Sequence, residues 1–329
     1  MTLPANPLDW TIGLVGYGEV GRILAEDLRA CGVNNVLAYD IKQGSADEAP
    51  LREHAGRHGV RLAGSHAELV AQSDLVISAV TASQAVPVAE ACAPALCSGA
   101  WFLDFNSASP AAKIEAGGIV AAAGGRYVEG AVMTSIPPYR IRVPLLLGGL
   151  HAAALAPLLN ALGFAGQAGP EKLGVASATK MCRSVLIKGL EAMVIESFTA
   201  ARAYGVEDAV LDSLAETFPG IDWEKQGAYF FQRVIQHGRR RAEEMREVAQ
   251  TVREAGLTPW SAAGTAERQA WVADLADGGL FGDRDTTRKD WRADADRILA
   301  ACTSSSPRKR GSTNSGNPLD SRFRGNDKD

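Results

Sequence analysis

Apolar runs of four or five residues alternate with amphipathic stretches through the first half of the chain. Trp10, Ile12, Leu14 and Val15 form the first run, short enough and apolar enough for a buried strand. A helical spacing follows through Val20, Leu24, Leu28 and Ala30 and stops at Gly32, and a second run, Val36 to Tyr39, ends on Asp40. Beyond it the pattern predicts a helix over 45–58, a short strand over 60–62, a helical turn or two over 67–71 and a buried strand over 74–78. Helix 83–92, strand 101–104, strands 126–132 and 142–147, helix 151–162 and strand 164–167 continue the alternation. Such alternation predicts an α/β fold, a doubly wound and mostly parallel sheet.

From Gly169 the pattern changes. Helical periodicity runs over 170–204, with Pro170 at its start and Gly205 as its stop. That is long for a surface helix and predicts a rod joining two domains. Residues 207–216, 223–255 with breaks, 262–275 and 287–301 read as further helices, and no strand pattern recurs. Trp223, Tyr229, Phe230 and Phe231 are expected to pack this helical core. Residues 303–329 lose periodicity, and Ser, Gly, Asn, Arg and Pro dominate, which predicts a disordered tail. Its basic run Arg308-Lys309-Arg310 is short and diluted by later acids, so a solvated extension is preferred to a nucleic-acid-binding arm.

The break after the first run is Gly16-Tyr17-Gly18-Glu19-Val20-Gly21. A glycine triplet alone is weak evidence, but here strand, turn, helix, second strand and terminal acid stand in order. Gly16 permits a tight turn, Gly18 lets backbone N–H groups reach a pyrophosphate, and Gly21 lets the helix pack on the strand. The pyrophosphate would sit on the unsatisfied N–H groups of the helix start, so Gly16 to Gly21 are candidate cofactor contacts. Asp40 lies where such folds place the acid that bonds the ribose hydroxyls and repels a 2′-phosphate, favouring NAD, with NADP as the alternative that nearby Lys42 keeps open. The loop after strand 74–78 leaves the carboxyl end of a parallel strand, which makes Val80 and Thr81 candidate nicotinamide-side contacts. The expected organisation is a Rossmann-type dinucleotide-binding domain over 1–168, an all-helical substrate and dimerisation domain over 169–302, and the tail.

Length and an apolar fraction of 46% allow two sizeable cores. The net charge of −4 offers no basic field for nucleic acid or membrane. There is no signal-like N-terminal stretch and no run long enough to span a bilayer, so the expectation is a cytoplasmic protein. Cys31, Cys92, Cys97, Cys182 and Cys302 are odd in number and lack metal-ligand spacing, which predicts small core fillers. The five histidines are scattered, and no metal site is expected from them.

Gly174 to Ser184 lies on the long helix, with Ser184 nearly above Lys180 and Glu191 further along the same stripe. Small residues precede Lys180, so a cofactor or sheet edge could approach it. Burial would lower its pKa toward neutrality and suit it to general acid–base work; a solvated lysine is the ordinary alternative. The loop Asp104-Phe105-Asn106-Ser107-Ala108-Ser109-Pro110 is dense in polar groups, with Ser109 placed to cap a helix that begins at Pro110. Further on, Arg239–Glu243 and Arg240–Glu244 have the i,i+4 spacing of solvated pairs beside His237.

Four stretches together resemble the β-hydroxyacid dehydrogenases, the family of 6-phosphogluconate and 3-hydroxyisobutyrate dehydrogenases. They are the glycine turn with Asp40; the loop Asp104 to Pro110, similar to the family's substrate loop; Tyr127 to Val132 with the strand after it; and Gly174 to Ser184. The resemblance covers residues 10–200 and implies that Lys180 is catalytic, with Asn106 and Ser107 orienting substrate and nicotinamide. Two departures stand out: Met133-Thr134-Ser135 replaces the family's Ser-Gly-Gly, and Ser184 stands where the family has Asn. The family therefore implies hydride transfer between nicotinamide and a 3-hydroxy acid or related secondary alcohol, with an altered substrate. Thr134, Ser135, Arg183 and Ser184 are candidate substrate contacts, and His237 or Arg240 would cap the pocket, of the same chain or of a partner subunit, unless they belong to a charged helix face. The relatives imply a homodimer or tetramer. The competing readings are an imine reductase, which usually replaces the lysine, and a dinucleotide-binding protein without turnover.

Overall fold

The computed structural model describes residues 4–282 and 290–305. Eight strands form one sheet in the order β3-β2-β1-β4-β5-β6-β7-β8. They are β1 (Thr11–Val15), β2 (Asn35–Tyr39), β3 (Arg61–Leu62), β4 (Leu75–Ser78), β5 (Trp101–Asp104), β6 (Arg126–Val132), β7 (Pro144–Gly148) and β8 (Ala165–Ala168). Neighbours are parallel except β6 and β7, which pair antiparallel, Glu129 opposite Gly148. The first six strands have the doubly wound order whose reversal, between β1 and β4, opens a crevice at the strands' carboxyl ends.

Both faces of the sheet are covered, which explains why its strands are apolar throughout rather than alternating. One face packs on α1 (Glu19–Ala30), α2 (Glu48–His58) and α6 (Ala152–Ala161), around Leu14, Leu24, Leu28, Leu51 and Leu155. The other packs on α3 (His66–Val70), α4 (Ala85–Cys92) and α5 (Pro110–Ala122), around Leu69, Val76, Val88, Phe102 and Val120. The predicted helix over 45–58 starts only at Glu48, because residues 41–47 are used in turns, with Gly44 at φ 81° and Ser45 Oγ bonded to Lys42 O. The strand expected from 142 starts at Pro144, since a 3₁₀ turn, Arg140–Arg142, precedes it.

The remainder is helical: α7 (Val175–Tyr204), α8 (Glu207–Thr217), α9 (Trp223–Glu254), α10 (Trp260–Asp277) and α11 (Trp291–Ser305). Helix α9 is unbroken, contrary to the expected interruptions. Its glycines mark close crossings instead: a Cβ at Gly227 would lie 2.6 Å from the Phe198 ring, and one at Gly238 would lie 2.8 Å from Gln269 O. Trp223, Phe230 and Phe231 are buried as expected, while Tyr229 is exposed. Helix α11 extends past 302 to Ser305, and the rest of the expected tail, with Arg308, Lys309 and Arg310, lies outside the described residues. Only Cys92 is a core filler. Cys31 ends α1 at the surface, Cys97 is half-buried, and Cys182 and Cys302 are on exposed helix faces. No helix among the described residues is long and apolar enough to cross a membrane.

Helix α7 begins at Val175, not Pro170, and its start is set by one buried group. The Glu129 carboxylate, 0% exposed on β6, accepts from Gly174 N (2.9 Å), Ala176 N (3.2 Å) and Ser177 Oγ (2.6 Å). A negative charge there meets the orphan N–H groups and positive end of a 30-residue helix. Gly148 faces it across the β6–β7 ladder, and a Cβ there would lie 2.4 Å from Glu129 Oε1. Hydrogen bonds to a charged acceptor contribute about 1.5–3 kcal/mol each. Glu129→Ala should therefore destabilise the protein by at least about 3 kcal/mol, read as a lowered urea midpoint, with Glu129→Gln losing less; equal stability of Glu129→Ala and the native chain would refute this account of the helix start.

Candidate active site

The glycine turn has the sterics of a dinucleotide cradle. Gly16 has φ 90°, and a Cβ there would sit 2.5 Å from Ala79 O. At Gly21 a Cβ would lie 2.1 Å from Gly16 O. A Cβ at Gly18 would meet nothing within 4 Å, so the space a phosphate needs is open there, and α1 has no side-chain cap to compete for its first N–H groups. Glu19 stands in the first turn, and Arg22 Nε donates to Tyr17 O (3.3 Å) at its edge. Asp40 ends β2, where its Oδ2 accepts from Tyr17 N (2.7 Å) and its Oδ1 from Lys42 N (3.0 Å). It thus ties the turn to the second strand, and each carboxylate oxygen keeps a lone pair beyond the bond it accepts.

Val80 and Asn106 meet across the carboxyl ends of β4 and β5. The buried Asn106 side chain accepts from Val80 N (2.6 Å) and donates to Ser78 Oγ (2.9 Å), and its own N–H donates to Asp104 Oδ1 (2.9 Å). Both ends of the amide are engaged inside the protein, so Asn106 clamps the two loops together. Thr81 is exposed beside it. Ser109 caps α5 through Ala112 N (3.4 Å), with Pro110 at the first helical position.

The lysine stripe of α7 faces this loop. Lys180 Nζ donates to Ser107 Oγ at 2.5 Å. Burial lowers its pKa to about 7; Glu244 opposes the shift, and Lys188, Lys113 and Arg240 add to it. Helix α9 runs antiparallel to α7 and supplies the balancing acids. Glu244 Oε2 accepts from Lys188 Nζ (2.5 Å) and Oε1 from Arg240 Nη1 (2.5 Å), and these cations hold its carboxyl well below the usual range against the cost of burial. Glu191 and Arg241 form a buried pair one turn further along. At the other end of α9, Glu247 and Glu254 accept from Ser109 N (3.1 Å) and Ala111 N (3.0 Å), joining the helical part to the start of α5.

The other candidate residues divide. Ser184 is buried one turn beyond Lys180 on the same face, and Arg183 Nη1 donates to Met133 O (3.4 Å), which brings Thr134 and Ser135 to the edge of α7. His237 is not with them. It lies beyond the Glu191–Arg241 pair, which itself stands on the order of 16 Å past Lys180 by helix rise, and lines a separate cavity of about 160 Å³ with Arg239, Arg240 and Asp277. Burial first, then Arg233 and its arginine neighbours, lowers its pKa to about 4, so it is neutral near pH 7. Arg239 pairs with Asp274 and Asp277 of α10, not with Glu243. Periodicity cannot see these crossings.

Three functional groups escape a sequence reading. Lys113 is completely buried, bonded to Asp104 Oδ1 (2.7 Å) and Asp104 O (3.0 Å), and Tyr127 Oη donates to Asp104 Oδ2 (2.7 Å). Burial and then Asp104 drive the Tyr127 hydroxyl well above its usual pKa, so it stays protonated as a donor. This triad fixes the floor under Asn106 and Ser107. The third is Glu129, an acid within the apolar strand 126–132 that lay inside the family-like stretch Tyr127 to Val132 but carried no assigned role there.

Sheet order, glycine turn and a helical extension define a Rossmann-type dinucleotide-binding protein with a second, helical unit. Residues 11–105 match the family described as NADP oxidoreductase coenzyme F420-dependent, and residues 201–272 match a domain of unknown function (DUF1932). A conserved hypothetical protein from Sinorhizobium meliloti is 37% identical, with 88% of this chain and 96% of that chain covered and a TM-score of 0.72. Conserved protein MTH1747, of unknown function and described as structurally similar to 3-hydroxyacid dehydrogenases, is 27% identical, covering 81% and 99% with a TM-score of 0.64. The fold is also that of the 3-hydroxyisobutyrate dehydrogenase of Mycobacterium tuberculosis solved with L-serine, at 17% identity, coverage of 88% and 99%, and a TM-score of 0.61. The chain belongs to the β-hydroxyacid dehydrogenase family, and its helical part carries the DUF1932 domain.

Gly18 and Gly21 separate two causes of cofactor loss. Gly18→Ala should leave the melting temperature within the effect of an ordinary surface change, about 0.5 kcal/mol, yet weaken NADH binding at least tenfold. Gly21→Ala should lose both binding and stability, by about 1–3 kcal/mol for the forced overlap. Fluorescence titration with NADH and thermal melts distinguish them; full NADH affinity in Gly18→Ala would refute the cradle.

Proposed function

We propose that this protein is an NAD-dependent dehydrogenase that moves a hydride between nicotinamide and the hydroxyl carbon of a 3-hydroxy acid or related secondary alcohol. The single observation that carries the reading is Lys180, desolvated to a pKa of about 7 and bonded to Ser107 at the crevice end of the sheet. A lysine balanced at neutrality exchanges protons in both directions, which an exposed one at its usual pKa does not.

Nicotinamide supplies the hydride chemistry when bound. Gly16 to Gly21 would hold the pyrophosphate, Asp40 the ribose, and the loop of Val80 and Thr81 the nicotinamide side. In oxidation, neutral Lys180 Nζ takes the hydroxyl proton of the substrate; in reduction, the protonated Nζ returns it. Ser107, already within hydrogen-bond reach of Nζ, would orient the same hydroxyl. Asn106 holds Val80 and so acts as a positioning residue. Ser184, Arg183, Thr134 and Ser135 border the space beyond Lys180, where the remainder of the substrate would lie. The preference for NAD rests on Asp40, since Lys42 turns toward Asp47 (3.9 Å) and leaves the carboxylate unneutralised.

Lys180→Ala should lower kcat by about 10²–10⁴-fold while NADH still binds. The required protonation state gives the pH dependence its sign: oxidation should rise with pH through a limb near 7, and ketone reduction should fall through it. The measurement is initial rate at the NADH absorbance band across a panel of hydroxy acids and carboxylate-free alcohols. Equal turnover in Lys180→Ala would sink the mechanism. Asp40→Ser should move the NAD-to-NADP ratio of kcat/KM toward NADP at least tenfold, about 1.4 kcal/mol; an unchanged ratio would remove the case for NAD.

A further inference from the structure

Behind the glycine turn, on the side away from the crevice, α1 and α2 bring together two histidines and a glutamate. His54 and His58 stand one turn apart on α2, so both imidazoles leave the same face. Their rings stack with centroids 4.5 Å apart. Glu26 comes from the facing side of α1, with Oε1 2.9 Å from His54 Nε2. One ligand atom from each of the three lies within 4.8 Å of the others. The scattered sequence positions concealed this, because Glu26 and His54 are 28 residues apart.

We propose that Glu26, His54 and His58 form a binding site for a divalent metal ion of the imidazole-seeking class, Zn²⁺ or Co²⁺, with water completing a tetrahedral shell. Two imidazoles and one carboxylate, with one position open, are a donor set these metals favour. Hard cations are disfavoured, because the site has a single carboxylate and Arg140 already neutralises it from the other side (2.6 Å to Glu26 Oε2).

The groups around the three ligands are arranged as ligand supports. Tyr17 Oη lies 2.8 Å from His54 Nδ1. In the neutral ring, Tyr17 Oη–H donates to Nδ1 while Nε2–H donates to Glu26. With a metal on Nε2 the ring proton moves to Nδ1 and donates to the same hydroxyl oxygen, which serves in either role. Arg140 has φ 54°, the one non-glycine residue with positive φ among the described residues. That left-handed backbone aims its guanidinium at Glu26 Oε2 and Asp27 Oδ1 (2.8 Å), fixing Glu26 with Oε1 toward the histidines. Glu26 and His54 are partly exposed, with side chains 30% and 12% accessible, so an ion has a path from solvent.

The test is titration of the full, tag-free chain with CoCl₂, followed by visible absorption and calorimetry. The expected result is one Co²⁺ per chain, with tetrahedral d–d bands and no thiolate-to-cobalt charge transfer from the exposed cysteines. His58→Ala should weaken binding at least tenfold. Glu26→Gln should do likewise and serves if His58→Ala misfolds by circular dichroism, and Tyr17→Phe should weaken it about tenfold as a lost support. His151→Ala, on a distant helix start, should bind as the native chain does. No saturable binding, binding unchanged in both ligand variants, or a thiolate charge-transfer band as the sole signal would each overturn the site.

Discussion

The Glu129 carboxylate holds the start of α7, and the geometry of the crevice depends on it. A long helix entering at the edge of a sheet has orphan N–H groups at one end and freedom to rotate about its axis. Three bonds into one buried carboxylate remove both. Lys180 follows less than two turns later, too soon for the helix to drift, so its Nζ is delivered to Ser107. The Asp104–Lys113–Tyr127 cluster sets the opposite wall by the same means, a buried charge whose oxygens are all taken.

The charges form layers. The deepest are matched pairs, Asp104 with Lys113 and Glu191 with Arg241, where desolvation is offset by direct bonding. Lys188 and Glu244 form an intermediate layer close enough to influence Lys180 without touching it. Lys180 alone has only a hydroxyl as partner. A matched carboxylate would have kept it charged, while complete isolation among cations would have pushed its pKa lower still. The value near neutrality is the result of Glu244 acting at a distance against burial and three cations.

Much of this was legible in the sequence, for identifiable reasons. Strand runs, the glycine turn and Asp40 are local features whose meaning is fixed by backbone geometry over a few residues. Lys180 was legible as one candidate, because its helix register is local, though its burial was not. Asp104, Lys113, Glu129 and Tyr127 were not legible as a set, because what makes them a unit is the pairing of β5 with β6 and the packing of α5 on them. His237 shows what periodicity leaves open: its charged neighbourhood allowed both a helix face and a pocket cap, and within one chain the antiparallel run of α9 along α7 carries it away from Lys180. Gly227 and Gly238 look like helix breakers when read singly and are contact points when read in three dimensions.

The facing of Gly148 and Glu129 has a further consequence. No side chain larger than hydrogen fits at 148 while the glutamate stands at 129, and a shorter residue at 129 would leave a void that only a side chain from 148 or nearby could fill. The two positions therefore constrain each other physically. A side chain at 148 would displace the carboxylate and so unseat the first turn of α7, and even without the glutamate it would still meet Ala176 Cβ at 3.0 Å.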